Sequence, residues 1–263
     1  MKIFDAHFHI IDKAFPLFPN HGFVPDEFDC DSYSKFASDL QIVGGAVVSG
    51  SFQQFDQTYL MSALKRLGPS FVGVTQLPAS TSNERIKELD EIGIRAVRFN
   101  LRRGGSETIE HLTRFSRRVH EVAGWHTELY VDSRELPDLR SAIEALPSVS
   151  IDHLGLSKEG FPTLIELVRK GVRVKATGFG RVDFDIREAL KQIVEVNPDS
   201  LIFGTDLPST RAPRPFQKED ISIIEEIFEP SVCQKIFFDN AASLYRLEKA
   251  NDGGPGNTTH NAS

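Results

Sequence analysis

Three histidines and one aspartate draw attention by the places they occupy. His7 and His9 stand two apart in the strand-like run Ile3-Phe4-Asp5-Ala6-His7-Phe8-His9. A period of two puts both imidazoles on one face, opposite Phe4, Ala6 and Phe8. Such a pair suits metal ligation or carbonyl polarisation, although alone it is explained as well by two unrelated histidines. His153 closes Ile151-Asp152-His153-Leu154-Gly155, and Asp206 closes Phe203-Gly204-Thr205-Asp206-Leu207-Pro208. Set together, a carboxylate can take a proton from water while imidazoles polarise the carbonyl that the water attacks.

Arginines form a second set: Arg98, Arg102, Arg103, Arg181, Arg211 and Arg214. Guanidinium forks match carboxylates, so several at one mouth imply a small anionic, carboxylated ligand. Arg98 shares a strand face with Ala96 and Asn100, where a guanidinium needs an anion partner. Arg103 and Arg214 read as solvated loop residues. By the same alternation Tyr130 faces inward with Glu128, either to bond a substrate or to pack. His126 begins its strand and belongs at the opposite end. Lys175 is ambiguous, and His21, His111 and His120 read as surface residues.

These groups need elements to carry them. Strand-like runs fall near 2–8, 44–49, 70–76, 94–100, 126–131, 148–153, 172–177 and 200–205. Helical stretches lie between them near 31–41, 54–67, 82–92, 107–123, 134–146, 161–170, 184–196 and 217–229. Eight β-then-α units imply parallel strands and favour closure into a single α/β (β/α)8 TIM barrel. There is no Gly-x-Gly-x-x-Gly after the first strand to favour a dinucleotide fold. In such a barrel, chemistry sits at the C-terminal strand ends, where all four residues above fall. One domain over 1–248 is expected, with residues 10–30 as an active-site loop rich in Phe and Pro. Residues 249–263 have the composition of a disordered tail.

Composition narrows the partners. Thirty basic against 37 acidic residues give a net charge of −7, which excludes a broadly basic nucleic-acid or anionic-membrane surface. Cys30 and Cys233 are too few and too far apart for a disulfide framework, and read as reduced thiols. No apolar run is long enough to span a membrane, and the first strand leaves no room for a signal peptide. A cytoplasmic protein is expected, as a monomer or homodimer.

At these residues the chain resembles the amidohydrolase superfamily, and within it the branch containing 2-pyrone-4,6-dicarboxylate lactonase and related sugar lactonases. The resemblance runs from Phe4-Asp5-Ala6-His7-Phe8-His9 to Asn240-Ala241-Ala242-Ser243-Leu244-Tyr245. Between them lie Val97-Arg98-Phe99-Asn100, Asp152-His153-Leu154-Gly155, Val174-Lys175-Ala176-Thr177-Gly178 and Gly204-Thr205-Asp206-Leu207-Pro208.

The resemblance implies a hydrolase that opens a carboxylated lactone. Asp206 would activate water, with His7, His9 and His153 around the scissile carbonyl. Arg98, Asn100, Arg102, Tyr130, Arg181 and Arg211 would bind substrate. Most of the superfamily holds zinc, but here the fourth strand ends in Arg98 and Asn100 and the fifth in Tyr130 and Asp132, so a binuclear site lacks its bridging ligand. The branch implies no required cofactor. The alternative is one Zn2+ on His7, His9 and Asp206, as in a metal-dependent amidohydrolase or a decarboxylase. A catalytically silent ligand-binding barrel is the other reading. The branch motif carries Trp-Pro-His where this chain has Leu207-Pro208-Ser209, which changes one wall of the pocket.

Overall fold

The computed structural model describes residues 1–247, so the tail expected from 249 onward lies outside the described residues. Eight parallel strands follow in chain order: β1 (Ile3–Phe8), β2 (Ile42–Val48), β3 (Phe71–Thr75), β4 (Ile94–Asn100), β5 (His126–Tyr130), β6 (Val149–Ile151), β7 (Arg173–Ala176) and β8 (Leu201–Phe203). Each pairs with its predecessor, and the ring closes where Phe8 bridges Leu207. There Asp206 N donates to His7 O, and His9 N to Leu207 O, both at 2.7 Å. The fold is a (β/α)8 TIM barrel.

The surrounding helices are α1 (Cys30–Ala37), α2 (Thr58–Leu67), α3 (Asn83–Ile92), α4 (Leu112–Ala123), α5 (Leu136–Glu144), α6 (Phe161–Arg169), α7 (Ile186–Val196) and α8 (Glu219–Ile227). Their limits follow local chemistry. Ser82 and Asp185 cap α3 and α7 by accepting from Arg85 N and Glu188 N, and left-handed Gly93 and Gly124 end α3 and α4. A last segment missing from the sequence reading, α9 (Pro230–Gln234), a π-turn (Lys235–Asp239) and α10 (Asn240–Leu244), covers the lower rim of the barrel. It delivers Tyr245, fully buried, whose hydroxyl donates to Glu128 Oε1 at 2.6 Å inside the barrel.

Two apolar layers result. The larger lies between sheet and helices and includes Leu60, Phe99, Phe115, Trp125, Leu190 and Phe237. The smaller lies inside the barrel: Phe4, Ala6, Ala46, Val48, Val72, Val74, Ala96 and Ile202.

The first strand departs from simple alternation. Asp5 pairs with Gly45 but Phe8 with Val47, so three steps of β1 oppose two of β2, a β-bulge. Ala6 and His7 therefore both point into the barrel. Phe8 turns outward and stacks on Tyr33 of α1 at 3.7 Å between ring centroids. His7 and His9 do share a face, but Phe4 and Ala6 share it with them. The bulge fits because residue 204 is glycine: a Cβ there would sit 2.8 Å from His7 Cβ and 2.7 Å from His7 N.

Candidate active site

The C-terminal ends of the strands enclose a cleft of about 320 Å³, lined among others by His9, Arg98, Asn100, Tyr130, His153 and Arg181. Its position is that of catalytic sites in barrels of this type. Irregular backbone aims several of these groups. β6 stops at Ile151, and His153 and Leu154 take left-handed φ values of 53° and 51°. β8 stops at Phe203, and Asp206 (63°) and Arg211 (58°) do the same. Such conformations each cost about 1–3 kcal/mol in non-glycine residues and cluster at functional sites.

His7, His9, His153 and Asp206 converge as expected. The His7 ring centroid lies 5.2 Å from that of His9 and 4.9 Å from that of His153, and all four residues are buried. Burial holds the three imidazoles below the usual histidine range, for His9 and His153 well below it. For His7 the carboxylate of Asp152 works against burial. The imidazoles are thus neutral at neutral pH. His9 Nδ1 lies 2.7 Å from Val48 O, which only accepts, so Nδ1 carries the proton and Nε2 presents its lone pair. Among the buried atoms without a hydrogen-bond partner in the protein are His7 Nε2, His153 Nδ1 and Asp206 Oδ1. Buried polar atoms are seldom left so.

The arginines divide differently from the expectation. The anion that Arg98 requires is Asp152, whose Oδ2 accepts from Nε at 3.1 Å and Nη2 at 2.7 Å, while Nη1 donates to Ser49 O. Arg98 still lines the cleft, but its fork is occupied, which corrects its assignment as a free carboxylate clamp. Arg181 Nε donates to Asp206 Oδ2 at 2.6 Å and orients that carboxylate, leaving Oδ1 open. Arg102 is exposed and absent from the cleft lining, whereas Arg103 lines it. The turn after β4 decides this: Asn100 Oδ1 accepts from Arg103 N at 3.0 Å, which folds the chain so that Arg103 faces inward. Arg214 pairs with Asp220 away from the cleft.

The residues lining the cleft include none from the 10–30 loop, which instead braces two arginines that do line it. Ile11 and Phe28 pair at its base, and Asn20 and Phe23 close a tight turn around His21 and Gly22. Asn20 Oδ1 accepts from Arg211 Nη1, and Asn20 Nδ2 donates to Arg103 O, both at 3.0 Å. Arg211 also donates to Ser51 Oγ and lies 4.5 Å from the Phe23 ring centroid. Tyr130 faces the cleft, its ring 5.0 Å from that of His153.

Below the cleft runs a chain of buried charges. Lys175 Nζ donates to Glu128 Oε2 at 2.6 Å and to Ala6 O at 2.9 Å, and lies 3.8 Å from Asp152 Oδ1. Burial, the largest influence, pushes the Glu128 carboxyl up, but the Lys175 ammonium and the His126 hydrogen bond together bring it down to about 2. At Asp152 burial is again the largest influence, but Arg98, His7 and Lys175 together hold the carboxyl well below the ordinary range. His126 Nε2 meets Glu128 Oε1 at 3.1 Å at the lower end, where its place at the strand start put it.

Among the described residues, two groups offer metal-ligand atoms within 4.8 Å of one another: His7, His9 and Asp206, and His7, Asp152 and His153. In both, the carboxylate already faces a guanidinium, Arg181 at 2.6 Å or Arg98 at 2.7 Å. A dication there would sit against a cation at each acidic ligand.

A family model described as amidohydrolase matches residues 4–247. A 2-pyrone-4,6-dicarboxylate hydrolase of Comamonas testosteroni is 24% identical over 279 residues, 93% of this chain and 90% of that protein. A 4-sulfomuconolactone hydrolase of Hydrogenophaga intermedia is 26% identical, over 92% of this chain and 88% of its own. Among solved structures, one from Acinetobacter baumannii described as a "probable" 2-pyrone-4,6-dicarboxylic acid hydrolase, with citric acid bound, superposes with a TM-score of 0.80 at 22% identity. That match covers 94% of this chain and all of the other.

Proposed function

The chain belongs to the amidohydrolase family and is a hydrolase, and from that premise we propose that it opens the ring of a lactone bearing at least one acidic group. The observation that carries this reading is that Asp206 Oδ1, His7 Nε2 and His153 Nδ1 are buried and unpartnered at the strand ends, where Asp206, His7 and His9 bring polar atoms within 4.8 Å of one another. Asp206 Oδ1 takes a proton from water, whose oxygen bonds to the lactone carbonyl carbon. The ring C–O bond then breaks, and the proton returns to the departing ring oxygen. Arg181 holds the carboxylate in register throughout. His9, presenting a lone pair, orients the attacking water rather than polarising the carbonyl.

Arg103 and Arg211 supply the anion contacts at the cleft mouth, held by Asn20 and Ser51. Tyr130 and Asn100 complete the wall. The substrates named for the two relatives, a 2-pyrone-dicarboxylate and a sulfomuconolactone, support an acidic lactone here. The guanidiniums beside both carboxylates support chemistry without a metal, since a dication on either open Oδ1 would stand close to Arg181 or Arg98. No helix among the described residues is long and apolar enough to cross a membrane.

The test is hydrolysis of charged and neutral lactones, with and without a chelator, wild type beside Asp206→Asn. Chelator-resistant turnover of acidic lactones, reduced on the order of 10³-fold in the variant, is expected. Turnover lost to chelator and restored by zinc would move the reaction to the His7, His9 and Asp206 set. Turnover confined to neutral lactones would remove the role given to Arg103 and Arg211.

A further inference from the structure

Lys175 belongs to no role described so far, yet it lies directly against a histidine of the site. Its ammonium has three protons, and three acceptors lie in reach: Glu128 Oε2 at 2.6 Å, Ala6 O at 2.9 Å and His7 Nδ1 at 3.4 Å. The second of these exists because the β1 bulge turns the Ala6 and His7 side chains inward together. An ammonium cannot accept, so a ring nitrogen facing it must present its lone pair. Asp152 Oδ1 also lies 3.4 Å from His7 Nδ1, but that oxygen makes no hydrogen bond. The Asp152 carboxylate already faces two cations, Arg98 at 2.7 Å and Lys175 at 3.8 Å. A proton on Nδ1 would instead point a second donor at the Lys175 ammonium.

We infer that Lys175 is a positioning residue that fixes His7 in the tautomer with its proton on Nε2, so that His7 enters the cleft as a hydrogen-bond donor and His9 as an acceptor. Two imidazoles two residues apart on one strand thereby do opposite work. His7 Nε2–H, unpartnered within the protein, stabilises the carbonyl oxygen as it gains charge. His9 Nε2 takes a hydrogen bond from water. The same tautomer leaves His7 Nε2 without a lone pair to give a metal, because a ring nitrogen that carries a proton cannot ligate. The catalytic consequence rests on the proposed hydrolysis, whereas the tautomer itself does not.

The experiment is a long-range proton–nitrogen correlation spectrum of the full chain labelled with 15N-histidine, His7 being assigned by its loss in His7→Gln. The wild type is expected to show His7 protonated on Nε2 and His9 on Nδ1. In Lys175→Met, His7 shifts to the Nδ1 tautomer facing Asp152, and kcat falls on the order of 10²-fold with KM nearly unchanged. Wild-type His7 protonated on Nδ1 overturns the inference, as does Lys175→Met that keeps the Nε2 tautomer. A shifted tautomer with full turnover overturns the catalytic half. If Lys175→Met does not fold, the wild-type spectrum still decides. The spectrum needs no substrate, so a protein that opens no lactone yet shows the Nε2 proton loses the functional reading and keeps this one.

Discussion

The two sides of the barrel interior are built on opposite principles. Toward β1, β2 and β3 the space is filled by Phe4, Ala6, Ala46, Val48, Val72 and Val74. Toward β4 to β7 it holds Arg98, Glu128, Asp152 and Lys175, two charges of each sign, all buried. The apolar side is held by burial and close packing, which respond gradually to lost volume. The charged side is neutral only as a set. Removing ions from water costs several kcal/mol each, and only a complete set of partners offsets that. Such a core contributes little net stability for its complexity; its product is fixed orientation, here of His7 and, through Asp152, of the segment carrying His153.

The sharpest way to break this contrast is Glu128→Ala. It leaves Lys175 buried with its main counter-charge gone, and should lower unfolding free energy by about 3–5 kcal/mol. Denaturant unfolding measures this, and a loss near 1 kcal/mol would show that the charges do not act as a set. Asp5 provides a control, a carboxylate equally buried but facing only neutral donors: Thr205 N and Oγ1, Tyr33 OH and His7 N. Without a cation, burial lifts its carboxyl from 3.8 to about 6.

A carboxyl raised on folding stabilises fully below its unfolded value of 3.8, and that contribution is lost as pH rises through 6. Between pH 4 and 7 the wild type should therefore lose up to about 3 kcal/mol relative to Asp5→Asn. Unfolding curves of the two that run parallel over that range would contradict it. The smallest effect belongs to the apolar side: Ile202→Val should cost about 0.5–1.5 kcal/mol and leave kcat unchanged. A catalytic defect there would mean that the two sides are mechanically coupled.

Much of this was legible from periodicity. The limits of β4 were read to the residue, and the other strands fell where apolar runs alternate with helical stretches. β6 and β8 came out shorter than read, because the chain leaves the sheet early to enter the left-handed turns that aim His153 and Asp206. Periodicity has no means of expressing a bulge, so Ala6 was placed on the wrong side of β1. The assignment of Arg102 over Arg103 failed for a similar reason, since which of two adjacent loop residues faces inward depends on one hydrogen bond from Arg103 N to Asn100. The partner of Arg98 was in plain view, as the first residue of the motif Asp152-His153-Leu154-Gly155, but a pair 54 positions apart carries no local signal. The helices of residues 230–244 were not assigned from the sequence, because they are too short to show a repeating apolar face.

The bulge in β1 and the bare Cα of residue 204 also constrain descent. Any side chain at 204 collides with His7, and a first strand made regular would swing His7 out of the barrel. Neither change is a neutral step toward the other, so the two positions must be inherited as a unit. A lineage that lost either would need a new residue to replace His7 before it could recover the chemistry. Of the two partners, only the glycine carries no functional group to advertise the dependence.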